Sequence, residues 1–177
     1  THPRSSAASD VYKRQPKSCR LIKYDSPLID DIQTTQLRGK LPSGFMSSTL
    51  PMLFKPNNKK LHGEDLEIAL EELFRKADEA IIEGVNILIL SDRYLSPEFA
   101  AIPALLACSG LHHHLTRNGT RTKVSLVVES GEPREVQHYA LLIGYGADLI
   151  NPYLALQTVR HMITCLLYTS DAADDRG

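Results

Sequence analysis

The stretch Val85-Asn86-Ile87-Leu88-Ile89-Leu90-Ser91-Asp92-Arg93 decides the fold. Val85 and Ile87 to Leu90 form a short apolar run with little alternation. A strand with one face in water alternates, so this run points to a strand buried on both faces, inside a parallel α/β sheet or barrel. The run ends in Ser91, Asp92 and Arg93, polar groups at the carboxyl end of a buried strand. In α/β folds that end carries ligands and catalysis.

Working outward, the pattern repeats on both sides. Upstream, Leu66, Ala69, Leu70, Leu73, Phe74, Ala77, Ala80 and Ile81 recur at the three-and-four spacing of one helical face, which predicts a helix over 64–83 closed by Gly84. Before it lies a strand candidate at 49–54, demoted to an edge or bulge by Pro51, and a polar loop at 55–62 with Pro56-Asn57-Asn58 as its turn. Further back, Asp30-Asp31 begins a short helix to Arg38. Downstream, Ser96-Pro97 reads as a helix start, with a break and re-entry at Pro103 and a main body over 104–116. Residues 123–130 form the next buried strand, Pro133 opens a helix, 148–150 is a short strand, and a last helix runs from Tyr153 to about Ile163. The order is β-α-β-α-β-α-β-α. Crossovers of this length imply parallel strands. The fold class is α/β, either a half-barrel (a reduced relative of the eightfold β/α barrel) or a small doubly wound sheet, and periodicity does not choose between them.

At 177 residues, 42% apolar and 23% charged, the chain has the makings of one globular domain. A net charge of −1 leaves no footprint for nucleic acid or an anionic membrane. No apolar run approaches the roughly 18 residues that cross a bilayer. The cysteines Cys19, Cys108 and Cys165 are far apart and odd in number, which reads as a reduced, cytoplasmic setting. Residues 1–15 and 165–177 lack the patterning between them and resemble translated adapter sequence, so both are set aside as non-native tails. That leaves a connector over 16–48 and an α/β domain over 49–164.

Several groups invite a chemical reading. His112-His113-His114 is the most conspicuous, and it suggests a free-standing metal-dependent hydrolase on a β/α-barrel-type scaffold. Adjacent helical residues point about 100° apart, however, so three in a row do not converge on one ion. His138 is the other interior histidine considered as a partner. The plainer reading places these four at helix or domain contacts. Asp92, Arg93, Glu129 and Asn151 all fall at or just past strand carboxyl ends and would share one rim. They read as loop-fixing or interface residues, with Arg93 paired to a carboxylate. Gly144-Tyr145-Gly146 ends a helix and precedes a strand, the reverse of a dinucleotide loop. Cys108 lies inside an apolar helix and reads as core. These residues offer no catalytic, cofactor or metal site, and a small independent binding module also remains open.

The blocks 87–93, Ala101-Ile102-Pro103-Ala104-Leu105-Leu106-Ala107, Leu111–Leu115, Leu126-Val127-Val128-Glu129-Ser130-Gly131-Glu132, 140–147 and Asn151-Pro152-Tyr153-Leu154-Ala155 together resemble the central domain of the glutamate synthase large subunit. The resemblance covers about Cys19–Val159 in order and spacing. It implies a scaffold that links a glutamine amidotransferase domain to an FMN-binding synthase domain of one longer chain. The parent would use FMN, an iron–sulfur cluster and NADPH or ferredoxin as reductant, with a reductase subunit as a further partner. No catalytic residue carries over, because Cys19 is not N-terminal and no iron–sulfur cysteine cluster is present. Deleting residues 1–15 and 165–177 should leave the thermal midpoint nearly unchanged by calorimetry; a large drop would make them part of the fold.

Overall fold

A computed structural model describes residues 21–56 and 63–174, with side chains to 165. Cys19, the leading tail and most of the 55–62 loop lie outside the described residues. The elements are α1 (Asp31–Gly39), β1 (Ser47–Pro51), β2 (Leu53–Phe54), α2 (Glu64–Ile82), β3 (Ile87–Ser91), β4 (Ala100–Ala101), α3 (Ala104–Arg117), β5 (Ser125–Glu129), α4 (Val136–Gly144), β6 (Leu149–Asn151) and α5 (Tyr153–Asp174). A single 3-10 turn, Arg121–Lys123, precedes β5.

The expected parallel α/β sheet forms. Its four strands lie in the order β1-β3-β5-β6, every neighbouring pair parallel. Sequential order means the sheet never reverses direction of growth, so it has no topological switch point of the doubly wound kind. Of the two architectures that periodicity allows, this is the half-barrel. β1 takes the edge that Pro51 requires. The opposite edge, at β6, is covered by residues 27–29: Ile29 N–H donates to Ile150 O at 2.9 Å, and Ile150 N–H to Pro27 O at 2.8 Å.

Strand alternation divides the apolar residues between two faces. Leu88 and Leu90, with Leu126, Val128 and Ile150, face a layer made by α2, α3 and α4, where Leu73, Ala77, Cys108, Leu111, Leu115 and Leu142 are buried. Each fully buried Leu contributes about 1.5–3 kcal/mol through area removed from water. Ile87, Ile89 and Val127 face the other way and meet Ile29 and Leu37. The segment read as a connector therefore does more than connect. Its helix α1 covers the face that would look into a complete barrel. The Asp30 carboxylate accepts from Gln33 N–H at 2.8 Å, and the Gln33 side chain accepts from Asp30 N–H at 3.0 Å. This capping box fixes where α1 starts.

Four expectations need correction. The first strand does not run through 49–54. It stops at Pro51, and Leu53–Phe54 leave the sheet to pair antiparallel with Ala100–Ala101. Met52 N–H still reaches Ser91 O, and Met52 O accepts from Ile102 N–H, each at 2.8 Å, so the chain pivots about a buried methionine. Second, no helix starts at Ser96-Pro97. That pairing draws 100–101 into a strand, and α3 begins only at Ala104, where the Glu132 carboxylate accepts Ala104 N–H at 2.8 Å. Third, the helix assigned to Pro133 begins at Val136, because Glu132 is committed to that contact and Arg134 N–H donates to His138 Nδ1 at 3.1 Å. Fourth, the last helix continues to Asp174.

Gly146 follows α4 with φ +110°. A Cβ there would lie 2.3 Å from His112 Nδ1 and 2.9 Å from its Cβ. The loop and α3 thus approach too closely for any side chain. Gly146→Ala should cost at least about 2 kcal/mol in urea unfolding, from overpacking and left-handed strain together. Gly144→Ala, which has open space around it, should be neutral or stabilising by about 0.5–1 kcal/mol.

Candidate functional site: the polar layer at the strand ends

Register sets Ser91, Glu129 and Asn151 side by side across β3, β5 and β6. They continue the face that carries Ile87, Ile89 and Val127. An apolar face thus ends in one polar layer, and the charge at its centre, Glu129, is fully buried. A buried carboxylate survives only if it is paired and hydrogen-bonded. Glu129 is both. Arg93 Nε donates to Oε1 at 2.8 Å, while the Arg38 guanidinium and the Ser91 hydroxyl donate to Oε2.

The remaining bonds tie this centre to α1. Arg93 Nη2 also donates to the Asp31 carboxylate, so its planar fork spans two acids. Asn151 Nδ2 donates to Asp31 Oδ1 at 3.0 Å and to Thr34 Oγ1 at 2.7 Å. Arg38 Nε donates to Thr49 Oγ1 at 3.3 Å. Asn151 Oδ1 is buried with no partner among the described residues, a cost of about 1–3 kcal/mol set against the two bonds from its amide nitrogen. Burial opposes ionisation of Glu129, but Arg38, Ser91 and Arg93 outweigh it and hold the carboxyl below its ordinary value. Asp31 is lowered in the same way, with burial overcome by Asn151 and Arg93.

Asp92 serves a second set. It accepts from Ser130 Oγ at 2.6 Å, from Gly131 N–H at 3.2 Å and from Tyr153 OH at 2.9 Å. Burial first, then that bond to a carboxylate, pushes the Tyr153 phenol up to about 12. Arg93 lies over the Tyr153 ring, its Cζ 4.4 Å from the centroid. The structure therefore gathers Asp92, Arg93, Glu129 and Asn151 at one rim. Arg93 bridges two carboxylates where a single partner was expected.

The histidines are elsewhere and diverge. His112 Nδ1 accepts from Arg121 Nε at 3.1 Å. Arg121 also donates to Val124 O and Gly146 O, at the amino ends of the strands, opposite the rim. Burial and the neighbouring Arg121 charge hold His112 below the usual histidine value. His113 is exposed, edge-on to His112. His114 stacks on Phe74 and meets Asp78 Oδ2 at 2.7 Å. His138 stands in the first turns of α4 against Arg134 N–H. Among the described residues, no three His, Cys, Asp or Glu side chains gather as a metal ligand set. Cys108 is buried, and burial raises its thiol to about 12.

Asp31, Thr34 and Arg38, supplied to the rim by α1, went unrecognised in the sequence, as did Tyr153. A signal existed: 31, 34 and 38 fall on one helical face, which meets Arg93, Glu129 and Asn151 at or just past the strand ends. Nothing in the sequence said which strand ends that face would meet.

Comparison with known proteins identifies the framework. A family model described as glutamate synthase central domain matches residues 4–175. The chain belongs to that family. It is 44% identical to the glutamate synthase [NADPH] large chain of Bacillus subtilis over 89% of its own length and 10% of the relative's. It is 36% identical to the ferredoxin-dependent glutamate synthase of Pyropia yezoensis over 86% of its length and 10% of that protein's. A 93-residue stretch is 43% identical to the NADH enzyme of Saccharomyces cerevisiae, covering 52% of this chain and 4% of the relative. The chain thus spans about a tenth of the length of these bacterial and algal relatives.

A flavin phosphate does not fit the rim of this central domain. Three carboxylates face two guanidinium groups there, and both guanidinium forks are already engaged. The strand-end loop at Gly131 is closed by Tyr153, whose hydroxyl would stand 3.1 Å from a Cβ on that glycine. Among the described residues, no helix is long and apolar enough to cross a membrane.

The lowered acids give stability a pH dependence. A carboxylate whose folded pKa is depressed contributes fully above its unfolded value and loses that contribution as pH falls through the folded one. Stability in urea should therefore drop below about pH 4.5, the ordinary value for Glu129. Glu129→Gln should cost about 3–5 kcal/mol at pH 7, because it leaves two buried-side arginines short of a charge. It should also flatten the acid limb. An unchanged acid limb would mean that Glu129 does not govern it.

Proposed function

We propose that this domain is a non-catalytic scaffold within a glutamate synthase, holding a glutamine amidotransferase domain and an FMN-binding synthase domain in fixed relation. The whole enzyme would move ammonia from glutamine to 2-oxoglutarate and reduce the product to glutamate, in the cytoplasm. One observation carries this reading. The strand carboxyl ends, where a β/α enzyme receives its substrate, are occupied here by side chains bonded to one another. Glu129 has a donor on each oxygen, and Arg93 has an acceptor at each end of its fork. Groups engaged with one another in this way hold loops in place.

The relatives' names support placing the domain within a glutamate synthase. They are glutamate synthases that differ in reductant, with NADPH, NADH and ferredoxin all represented. FMN, the iron–sulfur cluster and any reductase subunit belong on this reading to other parts of the parent. Both flanking domains are the partners we assign.

The isolated chain should show no glutaminase activity and should bind neither FMN nor a stoichiometric metal. In the full parent enzyme, Arg93→Lys should lower stability by about 1–3 kcal/mol, because an ammonium cannot span both Glu129 and Asp31. It should loosen the stoichiometry between glutamine hydrolysed and glutamate formed, with each half-reaction largely intact when assayed alone. Loss of either half-reaction in a folded variant would give Arg93 a chemical role and overturn the scaffold reading.

A further inference from the structure

Helix α5 leads out of the domain, yet none of its described residues belongs to either apolar cluster. From Gln157 to Cys165 every residue is exposed. The other helices are held by buried apolar faces. What holds α5 is polar. Tyr153 places its ring under Arg93 and its hydroxyl on Asp92. One turn on, Gln157 lies close enough to Asp31 to help hold that carboxyl below its ordinary value. A further turn on, Arg160 Nη2 lies 4.0 Å from Asp30 Oδ2. Residues 153, 157 and 160 are spaced i, i+4 and i+7, so they form one stripe. That stripe faces the first turn of α1, and Arg93 touches both helices.

We propose that this stripe is a polar joint, pivoted on Arg93, that fastens the outgoing helix α5 to the incoming helix α1. The direction in which the chain leaves the domain is then set by the same ion pairs that seat α1 on the sheet. The joint deepens the scaffold reading by naming the contact through which a displacement of α1 would be felt at α5. Two aspects of the geometry support a specific joint over incidental surface contact. Asp31 accepts from Arg93 and Asn151, which come from two separate segments, and Gln157 of α5 adds to the lowering of its carboxyl. Gly131 lets Tyr153 approach to a distance that would press on any side chain at 131.

Hydrogen exchange of this chain, followed by mass spectrometry, tests the joint without any turnover assay. Its outcome is therefore independent of whether the domain couples two activities. In the unaltered chain, amides in the first two turns of α5 should be protected. Arg93→Lys should speed their exchange by about tenfold or more, and by a larger factor than it speeds exchange of β3 and β5 peptides. Gln157→Ala, an exposed substitution that leaves the sheet untouched, should act in the same direction by a smaller factor. The proposal fails if α5 is unprotected to begin with, or if Arg93→Lys speeds sheet and helix alike. Should Arg93→Lys not fold, Gln157→Ala decides: faster α5 exchange supports the joint, and unchanged exchange overturns it.

Discussion

A carboxylate at the centre of a parallel sheet constrains everything around it. Glu129 has no exposure, and an uncompensated charge there would cost several kcal/mol or more. Compensation has to come from outside the strand. Ser91 supplies a hydroxyl from β3, Arg93 a fork from the loop beyond it, and Arg38 a second fork from α1. Once these are in place, the position of α1 over the inner face is fixed, and so is the loop after β3. Asp31 then has a cation to meet, and Asn151 a carboxylate. The inner face contributes few apolar residues of its own, so the polar layer bears more of the specificity of that packing than the hydrophobic contacts do.

The two faces of the sheet accordingly differ in kind. The outer face is an ordinary α/β interface, built from Leu, Ala, Val and Ile in close contact. Its tolerance for change is governed by volume. The inner face is governed by charge and by hydrogen-bond geometry, where near-neutral swaps such as Lys for Arg are not conservative.

Much of this was legible in the residues. The runs at 87–91 and 125–129, and the three-and-four spacing of 64–82, are long and unmixed, so local pattern and tertiary environment agree. The misreadings fell where long-range contacts override local signals. Ser96-Pro97 has good helix-start chemistry, but a strand pairing with residues more than forty positions earlier claims the segment. Pro133 is displaced from a helix start by Glu132, which is held at the head of α3. Asp92, Arg93, Glu129 and Asn151 were recognisable because strand ends are recognisable. Their partners on α1 were not, since Arg38 meets Glu129 across 91 residues and nothing local encodes that meeting.

Those separations also set an order of events during synthesis. Thr34 and Asn151 are bonded across 117 residues. At about 5–20 residues per second, Thr34 leaves the ribosome roughly 6–23 s before Asn151 does. Within that interval Asp31 gains Arg93 after 62 residues and Arg38 gains Glu129 after 91, and Thr34 waits for Asn151. The inner face closes only when β6 arrives. The polar layer is therefore assembled stepwise along the chain, and its last bond, from Asn151, forms only once β6 is made.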